Sequence, residues 1–111
     1  MREITRASVQ AFKNAKNFKL SNTEVINKDN NTTFYLFDNL IALKTPNNLI
    51  LKDAGRKTKT TKDRLNAILW EFWLGYIYQK GKDAENKKAW FYVDQRGNEE
   101  KREGQKTLKL N

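Results

Sequence analysis

The middle of the chain consists of short apolar runs that alternate with turn-forming residues, and this pattern limits the fold more than any other feature. Runs of about four residues are too short for stable helices but suit strands. Between two of them stands Asp38-Asn39, and both residue types accept the positive φ of a two-residue hairpin. The sequence therefore predicts a four-stranded antiparallel meander. Its strands are 24–27, 34–37, 40–43 and 49–52.

The segment from Ile4 to Phe18 is predicted to be an amphipathic helix. Its apolar residues recur at helical spacing and so share one face. They are Ile4, Ala7, Ala11, Ala15 and Phe18. The opposite face carries Arg6, Lys13 and Lys16, with Val9 among them. This basic face has two interpretations, a solvated surface or a surface that contacts phosphates.

A second helix is predicted after Gly55. Its start, Thr60-Thr61-Lys62-Asp63, offers a threonine N-cap and an acid in the first turn. Large residues widen its apolar stripe well beyond one face of the helix. The helix is expected to end at Gly75. The stripe consists of Leu65, Ile68, Leu69 and Phe72.

The C-terminal part combines an apolar pair of segments with a charged tail. Residues 76–79 and 89–93 are predicted to pair as a hairpin. Residues 95–111 are almost entirely polar and are expected to be flexible, unless Leu108 and Leu110 dock them as a strand.

The order of these elements predicts an α+β fold: an N-terminal helix, an antiparallel β-meander, a second helix, a C-terminal β-hairpin and a charged tail. A chain of 111 residues with 38% apolar residues has room for one hydrophobic core. We therefore expect residues 1–94 to form a single domain.

The composition favours binding over catalysis. The chain has 22 Lys and Arg against 13 Asp and Glu, a formal charge of +9, which favours polyanionic partners; the alternative origin of this charge is an A+T-rich genome. There is no Cys and no His, so the usual nucleophile, general base and metal ligands are missing. We expect no enzyme activity, no cofactor, no metal and no small-molecule substrate.

No apolar run approaches the length of a membrane span, and the N-terminus lacks the apolar stretch of a signal peptide. We therefore expect no membrane association and a location in a bacterial-type cytoplasm.

The residues from Arg56 to Arg64 form the most basic segment of the chain, and we call them the basic segment. Cations and hydroxyls stand together at a predicted helix N-terminus, where backbone N–H groups favour an anion. With the cations of the first helix they are the candidate contacts to nucleic acid or nucleoprotein. The alternative is a helix cap followed by a solvated loop. The candidates are Arg56, Lys57, Thr58, Lys59, Thr60, Lys62, Arg64, Arg6, Lys13 and Lys16.

Aromatic residues are concentrated after this segment: Trp70, Trp73, Tyr76, Tyr78, Trp90 and Tyr92. Most are expected in the core, but the second helix cannot bury all its apolar sides against one sheet. Trp70 and Trp73 are therefore candidates for a protein interface. Exposed rings beside lysines would also suit single-stranded nucleic acid. A third, minor hypothesis is a nuclease using Asp83, Glu85 and Lys87, whose spacing is that of metal-binding acids beside a lysine.

Several of these segments together resemble a family of small, uncharacterised tailed-bacteriophage proteins. The resemblance rests on Ile4-Thr5-Arg6, on Ala54-Gly55 and on the helix start from Thr60 to Asn66, and it covers most of residues 4–93. The family has an aromatic residue where this chain has Arg56. It has no activity to carry over, so it implies a phage context.

In a phage context, the positive charge indicates a role in binding a host complex. The chain is similar in size and charge to anti-CRISPR proteins, which implies a non-enzymatic phage or prophage accessory protein acting in the host bacterial cytoplasm. Such a protein would bind and inhibit a host nucleoprotein of the RNA-guided nuclease kind. The alternative is a phage protein that binds DNA or RNA directly.

Overall fold

The computed structural model describes residues 3–54, 57–82, 88–102 and 104–110. This part of the chain contains two helices and nine strands in an α+β arrangement, which confirms the predicted fold class. The helices are α1 (Glu3–Lys13) and α2 (Lys59–Phe72). The strands are β1 (Phe18–Leu20), β2 (Thr23–Lys28), β3 (Asn31–Leu36), β4 (Asn39–Lys44), β5 (Asn48–Lys52), β6 (Tyr76–Lys82), β7 (Lys88–Val93), β8 (Glu99–Arg102) and β9 (Gln105–Lys109).

The larger sheet has six antiparallel strands in the order β1-β2-β3-β4-β5-β9. Its centre is the predicted meander. One turn was placed wrongly, because the residues with positive φ are Phe37 (51°) and Asp38 (64°), and Asn39 already pairs with Leu36. This register puts Leu36 on the same buried face as Phe34, which the alternation of a strand requires.

The buried face of α1 differs from the predicted alanine stripe. It is formed by Thr5, Ser8, Val9 and Phe12. Phe12 is fully buried and meets Phe34 edge to face at 5.9 Å. The buried hydroxyl of Ser8 donates a hydrogen bond to the Ile4 carbonyl at 2.7 Å. Burying the face with Phe12 is therefore more favourable than burying the alanine face, because the free energy gained by burial grows with the apolar area of the side chain. The hydroxyl groups on the buried face are hydrogen-bonded, so they add little cost.

The first helix is also shorter than predicted. It ends at Lys13, and Ala15 adopts a left-handed conformation with φ of 55°. The Lys44 ammonium donates to the Lys13 carbonyl at 2.8 Å and so satisfies one of the free carbonyls at the helix end. Phe18, predicted in the helix, begins β1.

The core lies between the helices and the buried faces of both sheets. Helix α1 packs on α2 and β2, whereas α2 also contacts β4 and β6. The largest fully buried apolar side chains come from both helices and from strands of both sheets. They are Trp90, Phe12, Phe34, Ile41, Leu49, Leu51, Leu65, Ile68, Leu69, Ile77 and Val9. Neither of the two described helices has the length and the apolar composition that a membrane-spanning helix requires.

The smaller sheet contains the predicted hairpin, β6 with β7, and adds β8 at its edge. Gly75 stands before β6 rather than ending α2. A Cβ there would lie 2.0 Å from the Val93 carbonyl oxygen, and its φ is 99°. Only glycine fits this close approach between the two strands.

The charged tail is not free of structure. Residues 99–102 form β8 and residues 105–109 form β9, which pairs with β5. Leu108 lies opposite Leu49 in this ladder and packs against the core. The alternative in which Leu108 docks the tail as a strand is therefore the one observed, because β5 otherwise presents an unpaired edge.

One asparagine joins the second helix to the smaller sheet. The Asn66 side chain donates to the Ile77 carbonyl at 2.8 Å and accepts from the Ile77 N–H at 2.7 Å. The amide thereby imitates a neighbouring strand at the outer edge of β6, which fixes α2 along that edge.

A buried ion pair connects the two sheets. The Arg102 side chain at the end of β8 is fully buried, and its guanidinium lies 3.7 Å from the carboxylate of Asp53, just after β5. It also lies 5.8 Å from the centre of the Trp90 ring. Burial lowers the pKa of Arg102, and the Asp53 charge opposes this. Arg102 is thus held mainly by Coulomb attraction and by the indole face.

We expect Asp53→Ala to lower the free energy of unfolding by about 3–5 kcal/mol, because it leaves Arg102 buried without this carboxylate. Adding Arg102→Met should restore part of the loss, since the methionine needs no counter-charge. Urea unfolding of both variants measures this. A double variant no more stable than Asp53→Ala would show that the ion pair does not cause the loss.

Candidate binding surface

The basic segment is only partly available to a partner. Arg56 lies outside the described residues. Lys59 is exposed, and Lys57 and Lys62 are half-buried. These lysines stand at the N-terminus of α2, where the helix dipole adds positive potential.

The threonines of the segment cap the helix. Thr58 is the N-cap residue, since its hydroxyl accepts from the Thr61 N–H at 3.2 Å. The Thr58 and Thr61 hydroxyls also lie 3.0 Å apart. The predicted cap, Thr60-Thr61, was thus two residues too late, because Thr58 has the extended backbone that an N-cap needs.

Arg64 belongs to the core rather than to the surface. It is 2% exposed, and its guanidinium donates a hydrogen bond to the Thr5 hydroxyl of α1. The two residues are 59 positions apart, so this bond ties the helices together. Arg64 is therefore withdrawn from the open surface, although it contributes to the wall of a groove beside Trp70.

The candidate cations of the first helix do not form one cluster: Arg6 follows Thr5, which contacts Arg64 of the basic segment, whereas Lys13 lies at the other end of α2. Arg6 and Lys16 are exposed, and Lys16 lies beyond the end of α1. Lys13 pairs with Glu71 at 3.4 Å, which places it beside the last turn of α2. The basic segment lies at the other end of that helix, about 20 Å away for 14 residues.

The two candidate tryptophans form one surface feature, which we call the tryptophan pair (Trp70 and Trp73). They are 66% and 76% exposed, and their rings stack at 5.9 Å with an angle of 26° between the planes. Trp73 caps the C-terminus of α2 in the left-handed conformation, with φ of 55°. That position usually holds glycine or asparagine.

A groove of about 500 Å³ adjoins Trp70. Thr5 of α1 lines it on one side, and Thr60, Asp63 and Asn66 of α2 also face it. Its volume lies in the range of sites that hold a small molecule or a partner's side chain.

A second aromatic surface contains Tyr76 and Tyr78, which the sequence analysis expects mainly in the core. Tyr76 is 52% exposed, and its ring lies 6.3 Å from that of Tyr78. Tyr78 in turn stacks on Phe91 at 5.7 Å. We call these three residues the ring platform. The alternation of side chains along β6 indicates this surface. Neighbouring strand residues face opposite sides, and Ile77 between the two tyrosines is buried.

The Tyr78 hydroxyl donates a hydrogen bond to the carboxylate of Glu99, across the width of the smaller sheet. This bond, with lesser contributions from burial and from the Glu99 and Tyr76 charges, raises the pKa of Tyr78 to about 12. The phenol therefore keeps its proton, and its hydrogen bond to Glu99, beyond the pH at which an ordinary tyrosine ionises.

The residues of the nuclease hypothesis, Asp83, Glu85 and Lys87, lie outside the described residues. Within the described ranges, no group of three acidic side chains comes together that could hold a metal ion.

We expect Thr58→Ala to lower the free energy of unfolding by about 1 kcal/mol, because it removes the N-cap acceptor of α2. Thr60→Ala is the matched control and should change stability by less than about 0.5 kcal/mol. Thermal unfolding followed by circular dichroism compares them. Equal losses of stability in the two variants would contradict the assignment of Thr58 as the N-cap residue.

Tyr78 should lose its proton only as the pH rises toward 12. Since the folded pKa exceeds the ordinary value of 10.0, the Tyr78–Glu99 bond stabilises the fold fully below pH 10.0 and is lost through the folded pKa. Glu99→Gln should bring this pKa down. NMR of ring-labelled tyrosine measures it, with Glu100→Gln as the control. Titration of Tyr78 near 10.0 in the unaltered protein would contradict the assignment.

Comparison with known proteins places the chain in a family. The family model described as Kyanoviridae Gp96 protein matches residues 1–105. Searches of curated proteins and of solved structures each gave no significant match. The expected phage context is thereby confirmed at the level of the family: the chain belongs to the Kyanoviridae Gp96 protein family of phage proteins.

Proposed function

We propose that this phage protein acts by binding rather than by catalysis, and that the tryptophan pair contacts a protein component of a host nucleoprotein complex. Binding would inhibit that complex, an RNA-guided nuclease being the kind of target that fits. The observation that supports this most is Trp73, which is 76% exposed in a left-handed backbone conformation.

Folding does not account for a tryptophan at this position. A bulky residue with positive φ is unfavourable, and glycine or asparagine would end the helix at lower cost. The exposed ring gains little from burial beyond its stack on Trp70. Backbone strain retained at the surface is common at functional sites, and tryptophan dominates the energetic centres of protein interfaces.

The surroundings of the pair suit a protein partner. Trp70 forms one wall of the groove whose other sides carry hydroxyl, carboxylate and amide groups from Thr5, Asp63 and Asn66. Aromatic anchors beside a pocket with a polar rim are the usual anatomy of a protein interface.

The positive net charge adds a long-range electrostatic attraction to the proposed contact. A net charge of +9 attracts the phosphates of a nucleoprotein and raises the rate of encounter. Lys59 and Lys62, at the N-terminus of α2, stand at the opposite end of the helix from the tryptophan pair. This layout would let a partner offer protein at one end and nucleic acid at the other.

The second candidate function is direct binding of DNA or RNA through the basic segment. It is supported by the exposed Lys59 at a helix N-terminus. It is weakened by Arg64, which is buried, and by the Thr58 and Thr61 hydroxyls, which bond to each other. Salt dependence separates the two functions, because phosphate contacts weaken steeply with added salt.

We expect Trp70→Ala and Trp73→Asn each to weaken capture of the host partner about 30-fold, as for residues at the centre of an interface. Asparagine suits the left-handed position, so Trp73→Asn should fold normally. The measurement is capture by immobilised protein from nuclease-treated host lysate, quantified against added competitor.

Phe37→Asn is the matched control, since Phe37 is 54% exposed and also has positive φ. It should leave capture unchanged. Undiminished capture by both tryptophan variants would exclude the pair from the interface. Loss of capture after nuclease treatment of the lysate would favour direct nucleic-acid binding.

A further inference from the structure

The larger sheet has a covered inner face and an open outer face. Thr32 and Phe34 in β3, and Leu49 and Leu51 in β5, point inward and are buried. Helix α1 packs against β1, β2 and β3, and α2 packs against β4; Phe12 of α1 meets Phe34. Both helices therefore lie on the inner side, and in the described part of the chain no helix covers the outer face.

An uncharged row of side chains crosses the outer face. Neighbouring strand residues face opposite sides, so the residues next to the buried ones point outward. The register places one such residue from each of five strands side by side. We call them the outer row: Ile26, Thr33, Leu43, Ile50 and Thr107. Ile26 and Thr107 are exposed, and the other three are half-buried. Three aliphatic side chains are thus left without a covering layer.

Charged and polar residues flank the outer row on both sides. Each lies two positions from a residue of the row and so shares the outer face. In β2 they are Glu24 on one side and Lys28 on the other. The register gives the corresponding pairs in β5 and β9, with the residue on the Glu24 side first: Lys52 and Asn48, Gln105 and Lys109.

These flanking residues complement one another when two copies meet outer face to outer face. A twofold axis along the outer row sets each strand antiparallel to the same strand of the second copy, so opposite sides of the row face each other. Glu24 then faces Lys28 of the second copy, and this pair occurs twice. Lysines 52 and 109 face an asparagine and a glutamine. No like charges are opposed in these three strands, although the chain carries +9.

The size of the face suits a reversible dimer. The sheet has six strands, and at the usual strand spacing and rise its outer face offers about 500 Å² per copy. The total of about 1,000 Å² is at the lower limit for a specific interface. An apolar centre with a polar border is also the usual anatomy of such a contact.

We propose that the outer face of the larger sheet is the contact between two copies of this chain, which form a twofold dimer with the sheets stacked about 10 Å apart. The outer row is the apolar centre, and Glu24 pairs with Lys28 across it. The occupant is a second copy because the flanking charges complement themselves under the twofold rotation. This contact is distinct from the tryptophan pair and does not depend on the proposed host partner.

Sedimentation velocity over protein concentrations of about 5 to 500 µM tests the proposal, because an interface of this size should dissociate in the micromolar range. Ile26→Thr and Ile50→Thr remove apolar area but keep β-branched residues. Each change acts twice in a twofold contact, so each should weaken dimerisation about 10- to 100-fold.

A charge exchange tests the arrangement of the two copies. Glu24→Lys and Lys28→Glu each set like charges against each other and should weaken dimerisation about 3- to 30-fold. Mixing the two variants should restore it, because the new lysine of one copy then faces the new glutamate of the other. Thermal unfolding checks each variant, Glu24→Lys above all, since Lys19 lies opposite Glu24 in β1.

The matched controls lie on other surfaces. Lys59→Glu alters the net charge as Lys28→Glu does, but at the exposed start of α2. Trp73→Asn removes an exposed ring of the tryptophan pair. Both should leave dimerisation unchanged.

A protein that stays monomeric at about 500 µM would overturn the proposal, as would loss of the dimer in Trp73→Asn. A mixture of the two charge variants that stays monomeric would overturn the twofold arrangement. Weaker capture of the host partner by Ile26→Thr would assign the face to that partner instead of a second copy. Failure of the host-partner proposal is read separately, from the tryptophan variants.

Discussion

The structure depends on the buried guanidinium of Arg102. A charge inside a core is tolerated only beside a counter-charge, and Asp53 supplies it from the other sheet at 3.7 Å. Because Arg102 ends β8 and Asp53 follows β5, the pair brings together strands that are distant along the chain. It also holds the polar C-terminal residues against the core, so that β9 reaches the edge of β5.

The second helix has one side that folding uses and another side that stays exposed. Thr61, Arg64 and Leu65 are buried, and Asn66 bonds to the backbone of β6. Most of the helix start that resembles a phage family is thus accounted for by capping and packing. What folding does not use is the outward stripe that ends in the tryptophan pair. The proposed protein interface lies on this stripe.

How far the sequence predicts the fold can be judged from particular residues. The meander follows from its alternation, because each strand buries one face. The Phe37-Asp38 turn was missed by one residue, since an exposed phenylalanine at positive φ is unusual. The burial of Val9 was missed because its neighbours are basic. The sequence contains the tyrosines of the ring platform but does not place Phe91 beside Tyr78, because that contact exists only once the register of β6 and β7 is set.

The sequence by itself determined the fold class, the strand pattern, the excess of positive charge and the resemblance to phage proteins, because these depend on local spacing and composition. The tertiary structure alone decided which charged and aromatic residues are available. Arg64 is withdrawn into the core by Thr5, a residue 59 positions away, whereas Trp73 stays outside. Such outcomes depend on contacts between distant segments, and no local pattern encodes them.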